Sequence, residues 1–325
     1  GMPEPFAPNV RLDWAEGKLC VAQSQVATLM PGDALLAVEE VPIEKAVEAT
    51  LRQLSAPSPQ GRQWLVAQHL LTGEKGTACR IRIEPFEAPG TSREITLTRD
   101  THFYKTPRPS RERIKEVTPG LFYIDLEQWT AAEFQASWEK LSSAKGVIFD
   151  FRNYPDKLDP FDFFAHLTLA TLHSPQWHLP IPTRPDHEGL EFALLPPWVI
   201  TPRKPLVACR KIFLINAGCV SFAESCLGIV EHYKLGELVG GPTIGTNGNI
   251  NRVKLPGGYT LTWTGMKVLK HDGNQHHGIG IRPTVPVEPT RAAFSQGRDE
   301  MMEKALEIVT RPDSSNSTEA GAENP

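Results

Sequence analysis

No apolar run in this chain approaches the ~18–20 residues needed to span a bilayer. No leader peptide opens it either. The chain starts Gly1-Met2-Pro3-Glu4-Pro5. A glycine ahead of methionine reads as a cloning scar, so a leader or further upstream domain is expected to have been removed. Cationic excess is missing. The 34 Lys and Arg against 38 Asp and Glu give a net charge of −4, which leaves no signature for nucleic acid or another polyanion. Cysteine is scarce and irregularly placed. Cys20, Cys79, Cys209, Cys219 and Cys226 are odd in number and lack metal-type spacing, so they read as buried, reduced side chains rather than as a disulfide scaffold. No residue pattern asks for a cofactor or a metal.

What is present describes a globular chain with ample core: 325 residues, 40% of them hydrophobic and 22% charged. That length suits roughly two domains. The 29 prolines cluster. Eight fall between Pro175 and Pro205, where helix is disfavoured and an extended lid or binding loop is expected. The stretch 312–325, rich in Ser, Asn, Glu and Ala, is expected to be disordered.

Residues 8–100 read as a small β-rich module. Strands are expected at Lys18–Ala22, Ala34–Val38, Cys79–Ile83 and the alternating Arg93–Thr98, with a helix from Ile43 to Leu54. A basic, proline-bearing linker follows over 101–118. From 119 to 311 the pattern becomes strand, helix, strand. The expected elements are Leu121–Leu126, Ala131–Leu141, Gly146–Phe151, a helix Phe161–Leu172, Leu206–Ile215 and a helix Phe222–Tyr233. This order implies parallel βαβ units in an α/β core. Gly236 is placed to end the last helix as a C′ residue. A hairpin is expected around Pro256-Gly257-Gly258.

The most informative stretch is Asn216-Ala217-Gly218-Cys219-Val220-Ser221-Phe222-Ala223-Glu224. An apolar strand runs into a tight turn, and a serine opens a helix. Free backbone N–H groups and the positive end of the helix dipole gather at such a point, and they can hold a developing oxyanion. Ser221 therefore reads in two ways. It is a candidate nucleophile, and Ser-x-x-Glu is also a capping box in which Ser221 and Glu224 satisfy orphan N–H groups. Cys219 is a third, thiol candidate for the nucleophile, with packing as its ordinary role.

Four motifs, in order, carry a resemblance. Lys145-Gly146-Val147-Ile148-Phe149-Asp150-Phe151-Arg152-Asn153 is similar to a "kg-hydrophobic-DLRnN" strand. Asn216–Glu224 resembles an "N-x-x-x-x-S-A-S-E" turn. Leu238–Gly245 resembles "lvGe-pTfG", and Gly278–Val287 resembles "G-x-G-I-x-P-D-x-x-V". Together they resemble the carboxyl-terminal processing (tail-specific) serine proteases, in a divergent tricorn-like branch. The resemblance implies a ClpP/crotonase-type α/β core with Ser221 as nucleophile. It also implies a preceding PDZ module, and Met30-Pro31-Gly32-Asp33-Ala34-Leu35 is similar to the turn and strand of such modules. Gly32 and Asp33 would then help bind a peptide by strand addition.

The departures are as specific as the match. The lysine that serves as base in the familiar enzymes falls on Thr246, which cannot accept a proton at neutral pH. Lys254 or Lys267 could replace it only through another geometry. The glycines after "DLRnN" are replaced by Tyr154-Pro155-Asp156-Lys157. Proline has no N–H, so the oxyanion hole must be rebuilt from Tyr154, Asp156 or Lys157 together with the Phe222 N–H. A serine nucleophile needs a proton acceptor, and histidine is the usual one near neutral pH. His277, or its neighbour His276, stands just before the fourth motif, near the place of a catalytic glutamate in tricorn-type relatives. Alternatively the base lies in a removed upstream segment, or the two histidines belong to a solvated loop. Glu224 orients the site, and Asn247, Gly248 and Asn249 offer contacts to a substrate main chain. Asp150 and Arg152 read as a structural pair.

The expectation is a serine-type peptidase acting on polypeptides, near unstructured carboxyl-terminal ends, with no cofactor, no metal, no nucleic-acid partner and no membrane span. The resemblance places it in the periplasm or outside the cytoplasm and leaves a homo-oligomer open. The rival expectation is a catalytically silent peptide-binding protein of the same fold. A crotonase-like acyl-CoA enzyme is disfavoured by the amino-terminal module and the Ser-x-x-Glu turn.

Overall fold

The computed structural model describes residues 5–102, 113–127, 129–186 and 188–311. The expected disordered tail and most of the expected linker lie outside these residues.

Residues 10–98 form a curled antiparallel sheet. Its strands are β1 (Val10–Ala15), β2 (Lys18–Ser24), β3 (Ala34–Val38), β4 (Ala78–Glu84) and β5 (Arg93–Thr98), hydrogen-bonded in that order. One face buries Leu12, Leu19, Val21, Leu35, Ile81, Ile83 and Leu97, and the central strands β2 and β3 also bury Cys20 and Ala34 on the other face. Two helices lie between β3 and β4. The first, α1 (Ile43–Leu51), is shorter than expected, and α2 (Pro59–His69) closes the apolar face with Val66 and Ala67. Ser58 caps α2 by accepting from Gly61 N at 3.0 Å, with Pro59 at the first helical position, where its missing N–H costs nothing.

The second sheet carries the site. Ile114–Thr118 (β6), inside the expected linker, pairs antiparallel with β7 (Leu121–Asp125). Beyond β7 run β8 (Gly146–Asp150), β9 (Arg210–Ile215), β10 (Glu237–Gly240) and the short β11 (Val285–Pro286), all parallel. The parallel α/β expectation holds. These strands are near-continuous apolar runs because both faces are covered. On one face lie α3 (Ala131–Ser142) and α4 (Phe222–Tyr233), which pack Phe134, Trp138, Leu141, Leu227 and Val230 around Phe149 and Phe213. On the other, α5 (Glu300–Val309) packs Ala305, Ile308 and Val309 over Ile148, Ile212 and Leu214.

Two local expectations fail. The helix expected from Phe161 to Leu172 runs only over Pro160–Ala165. His166 Nδ1 then meets Pro205 O at 2.7 Å and Val207 N donates to His166 O, which diverts the chain. Gly236 is not the helix-ending residue. Lys234 takes the left-handed conformation (φ 50°) after α4, and Gly236 is needed because a Cβ there would stand 2.1 Å from Lys211 O. The proline-rich stretch does form extended chain, with strands Gln176–Ile181 and Glu191–Leu194. The hairpin around Pro256–Gly258 pairs Ile250–Lys254 with Thr260–Thr264, exposed along its length.

Candidate active site

The strand β9 ends at Ile215, in the interior of the parallel sheet. Ligand sites favour the carboxyl ends of such strands. The following turn is tight. Gly218 N and Cys219 N donate to Asn216 Oδ1 and Asn216 O at 2.9 and 3.0 Å. A Cβ on Gly218 would come within 2.8 Å of Arg152 O, so only glycine lets the turn lie flat on the end of β8.

Ser221 then adopts φ 54° and ψ −110°, far from the helix it precedes. A non-glycine residue there stores about 1–3 kcal/mol of strain. Its N–H donates to Thr246 O at 2.9 Å, which helps hold it. The side chain makes no cap hydrogen bond, so the capping-box expectation is wrong. A strand-to-helix turn with a strained serine is the geometry that lifts a hydroxyl clear of the sheet in nucleophile elbows.

Glu224 turns inward rather than back to Ser221. It is fully buried (0% exposed). Its Oε1 accepts from Thr243 Oγ1 at 2.5 Å and Gly245 N at 2.7 Å, and its Oε2 accepts from Thr246 N at 2.9 Å. One carboxylate thus fixes the loop that holds Ser221 N. Cys219 is removed as a nucleophile. Its thiol is buried and donates to Phe151 O at 3.0 Å, and desolvation pushes its pKa far up, so little thiolate forms.

The two adjacent histidines part company. Ile279 N and Gly280 N both donate to His276 O, and the tight turn sends the His276 ring inward and leaves His277 exposed. The His276 Nε2 atom stands 3.3 Å from Glu224 Oε2, outside hydrogen-bond geometry, and has no hydrogen-bond partner among the described residues. No hydrogen bond joins His276 to Ser221. Between them lies Glu224, which faces His276 and accepts from Thr246 N, while Thr246 O accepts from Ser221 N.

Tyr154 lies beside the elbow, its ring against Phe222. The Phe222 N–H and the Ser221 hydroxyl are near enough to act on its phenol, and burial nonetheless raises its pKa from 10.0. Asp156, expected in the oxyanion hole, is exposed and spends its N–H on Tyr154 O at 3.0 Å. An aromatic wall continues from here. Phe222 packs on Tyr154 and Trp198, and Trp198 packs on Trp177, with ring centroids 6.5, 5.9 and 5.0 Å apart.

Other expected residues have internal tasks. Asn247 is buried, and its amide bonds Ser225 Oγ at 2.9 Å while its Oδ1 accepts from Gly248 N at 2.7 Å. Gly248 (φ 120°) is walled by Met266 and Thr264, and Asn249 O accepts from Gly265 N. These three shape the loop, and only Asn249 is exposed. Gly32 and Asp33 do not face a peptide groove. Asp33 is 2% exposed and accepts from Met30 N and Phe86 N. Gly32 lies beneath the short helix Arg291–Ser295, whose Arg291 Nε donates to Gly32 O at 2.9 Å. Lys267 stacks on Phe192 and Lys254 lies on the exposed hairpin. Asp150 and Arg152 pair at 2.7 Å, and Arg152 reaches Asp299 at 2.9 Å, as a structural pair should.

Sequence reasoning missed how the amino-terminal unit touches the site. Ser58 Oγ donates to Ile244 O at 2.6 Å, and Gln60 Nε2 donates to Thr243 O at 2.9 Å. The Ser-Pro start of α2 was a legible signal for a helix, but not for what it docks on.

Residues 200–287 match the family model "Peptidase family S41". Over 287 residues, 83% of this chain, the sequence is 23% identical to a "Probable CtpA-like serine protease" of Staphylococcus haemolyticus (strain JCSC1435), covering 55% of it. A 105-residue stretch, 29% of this chain and 21% of the relative, is 29% identical to one from Staphylococcus aureus (strain N315). The chain thus spans about half the length of the longer-matching curated relatives. Among solved structures, mature CPAF superposes with a TM-score of 0.70 over 94% of this chain and 82% of its own, at 13% identity. That likeness shows a shared fold.

Proposed function

We propose that this relative of the S41 carboxyl-terminal processing proteases is a serine peptidase with Ser221 as its nucleophile. The strained Ser221 backbone carries the reading. Strain kept at a single serine, at the carboxyl end of a buried strand and beside a helix amino terminus, points to a reacting hydroxyl.

Ser221 Oγ adds to a peptide carbonyl, and the Phe222 N–H holds the oxyanion. His276 takes the proton. Its Nε2 faces Glu224, which leaves Nδ1 as the accepting nitrogen. The Ser221 hydroxyl and His276 must first close on one another. Such tightening on substrate entry is common, because catalytic hydrogen bonds are often long in free enzymes. The substrate is an unfolded polypeptide end, and the amino-terminal β-rich unit braces the catalytic loop through Ser58 and Gln60. The family likeness favours an extracytoplasmic place, and no helix among the described residues is long and apolar enough to cross a membrane.

One observation favours a second reading, a silent peptide-binding homologue. Among the described residues no lysine, imidazole or carboxylate hydrogen-bonds the Ser221 side chain.

The test is cleavage of β-casein by the full chain, followed by mass spectrometry. The peptidase reading expects fragments that vanish after fluorophosphonate treatment, and intact casein at high enzyme concentration supports the silent homologue. His276→Gln is expected to slow fluorophosphonate labelling by ~10²–10⁴-fold, the usual contribution of a general base, while His277→Gln labels at nearly the wild-type rate. Equal rates for His276→Gln and wild type would remove His276 from the mechanism.

A further inference from the structure

The loop after β8 has lost the glycines that present backbone donors in the resembled enzymes. Pro155 has no N–H, and Asp156 spends its own on Tyr154 O. An oxyanion hole normally needs two or more aimed donors, and the Phe222 N–H supplies one. The Tyr154 side chain packs beside the residue that carries that N–H. Its ring leans on Phe222 at 6.5 Å and 57°, which brings its phenol near enough to the Phe222 N–H and the Ser221 hydroxyl for both to act on it.

We infer that the Tyr154 phenol is the second oxyanion donor of this site. Tyr154 is 39% exposed, so its phenol has room to turn onto a substrate's carbonyl oxygen when substrate enters. The Ser221 Oγ–carbon bond then forms, and the carbonyl π pair moves onto oxygen. The serine proton goes to the base, and the Phe222 N–H and the Tyr154 O–H both donate to the oxyanion. The phenol keeps its proton throughout. Burial holds its pKa above the ordinary value of 10.0, so it remains a donor at neutral pH.

Tyr154→Phe keeps the ring against Phe222 and removes only the donor. The inference rests on Ser221 being the nucleophile, and the two can fail separately. With fluorescein-labelled casein as probe, and active sites counted by fluorophosphonate titration, Tyr154→Phe should lower kcat by ~10²–10³-fold, the cost of one lost oxyanion donor. KM should stay within about threefold, because the ground-state carbonyl uses the donor little. Affinity for a peptide aldehyde, whose hemiacetal carries the oxyanion, should fall in parallel with kcat. A wild-type Ser221 adduct together with unchanged kcat in Tyr154→Phe would overturn the Tyr154 role alone. A raised kcat would also overturn it, since the phenol would then be a plug. No wild-type adduct and no casein cleavage would overturn the nucleophile and the Tyr154 role together.

Discussion

Ser221→Ala is expected to reduce casein cleavage to background, a loss on the order of 10⁶-fold in kcat as for other serine nucleophiles. Stability should barely move. Alanine carries a Cβ like serine, so the strain at φ 54° remains, and no side-chain cap is lost. Ser221→Gly should also be inactive, yet more stable than Ser221→Ala by about 1 kcal/mol, because glycine accepts positive φ without penalty. Thermal melting of the two variants reads that difference. A serine that mattered only as a helix cap would give the opposite pattern, with Ser221→Ala costing about 1 kcal/mol and catalysis unaffected.

Glu224→Ala should be the most destabilising single change at the site. The carboxylate is fully buried and satisfies Thr243 Oγ1, Gly245 N and Thr246 N. Its removal strands those donors and the adjacent His276 in a dry interior. Breaking a buried, multiply bonded charge costs about 3–5 kcal/mol. At roughly 2–4 °C per kcal/mol for a chain of this size, the melting temperature should fall by roughly 6–20 °C. Activity should fall further than the folded fraction does, because Thr246 O would no longer hold Ser221 N in place. Glu224→Gln should lie between Ala and wild type. Its amide can accept at one end, but its NH₂ must face a backbone N–H at the other. A loss below about 1 kcal/mol in Glu224→Ala would show that the loop is held by something else.

Local chemistry made much of this fold legible. The runs at Gly146–Asp150 and Arg210–Ile215 are apolar on both faces, and such runs separated by helices imply a parallel sheet. The elbow was also readable, since a turn with glycine at Gly218 and a serine at a helix start is a local pattern. What was misread depends on residues distant in sequence. Ser221 and Glu224 spell a capping box, but donors on 243–246 draw the carboxylate inward. Gly32 and Asp33 resemble a peptide-binding turn, but a helix some 260 residues later in the chain covers them. His276 and His277 are indistinguishable in sequence, and one turn, closed by two hydrogen bonds on His276 O, decides which ring is buried. The loss of the loop glycines points to the Tyr154 backbone N–H, whereas it is the Tyr154 ring that packs against Phe222 at the elbow.

The most direct test of the account is the site of a covalent adduct. The full chain is treated with a fluorophosphonate, digested and analysed by tandem mass spectrometry. The account predicts one stoichiometric adduct on Ser221, absent from Ser221→Ala. Prolonged treatment that leaves Ser221 unmodified, or that modifies other serines equally in wild type and Ser221→Ala, would contradict it.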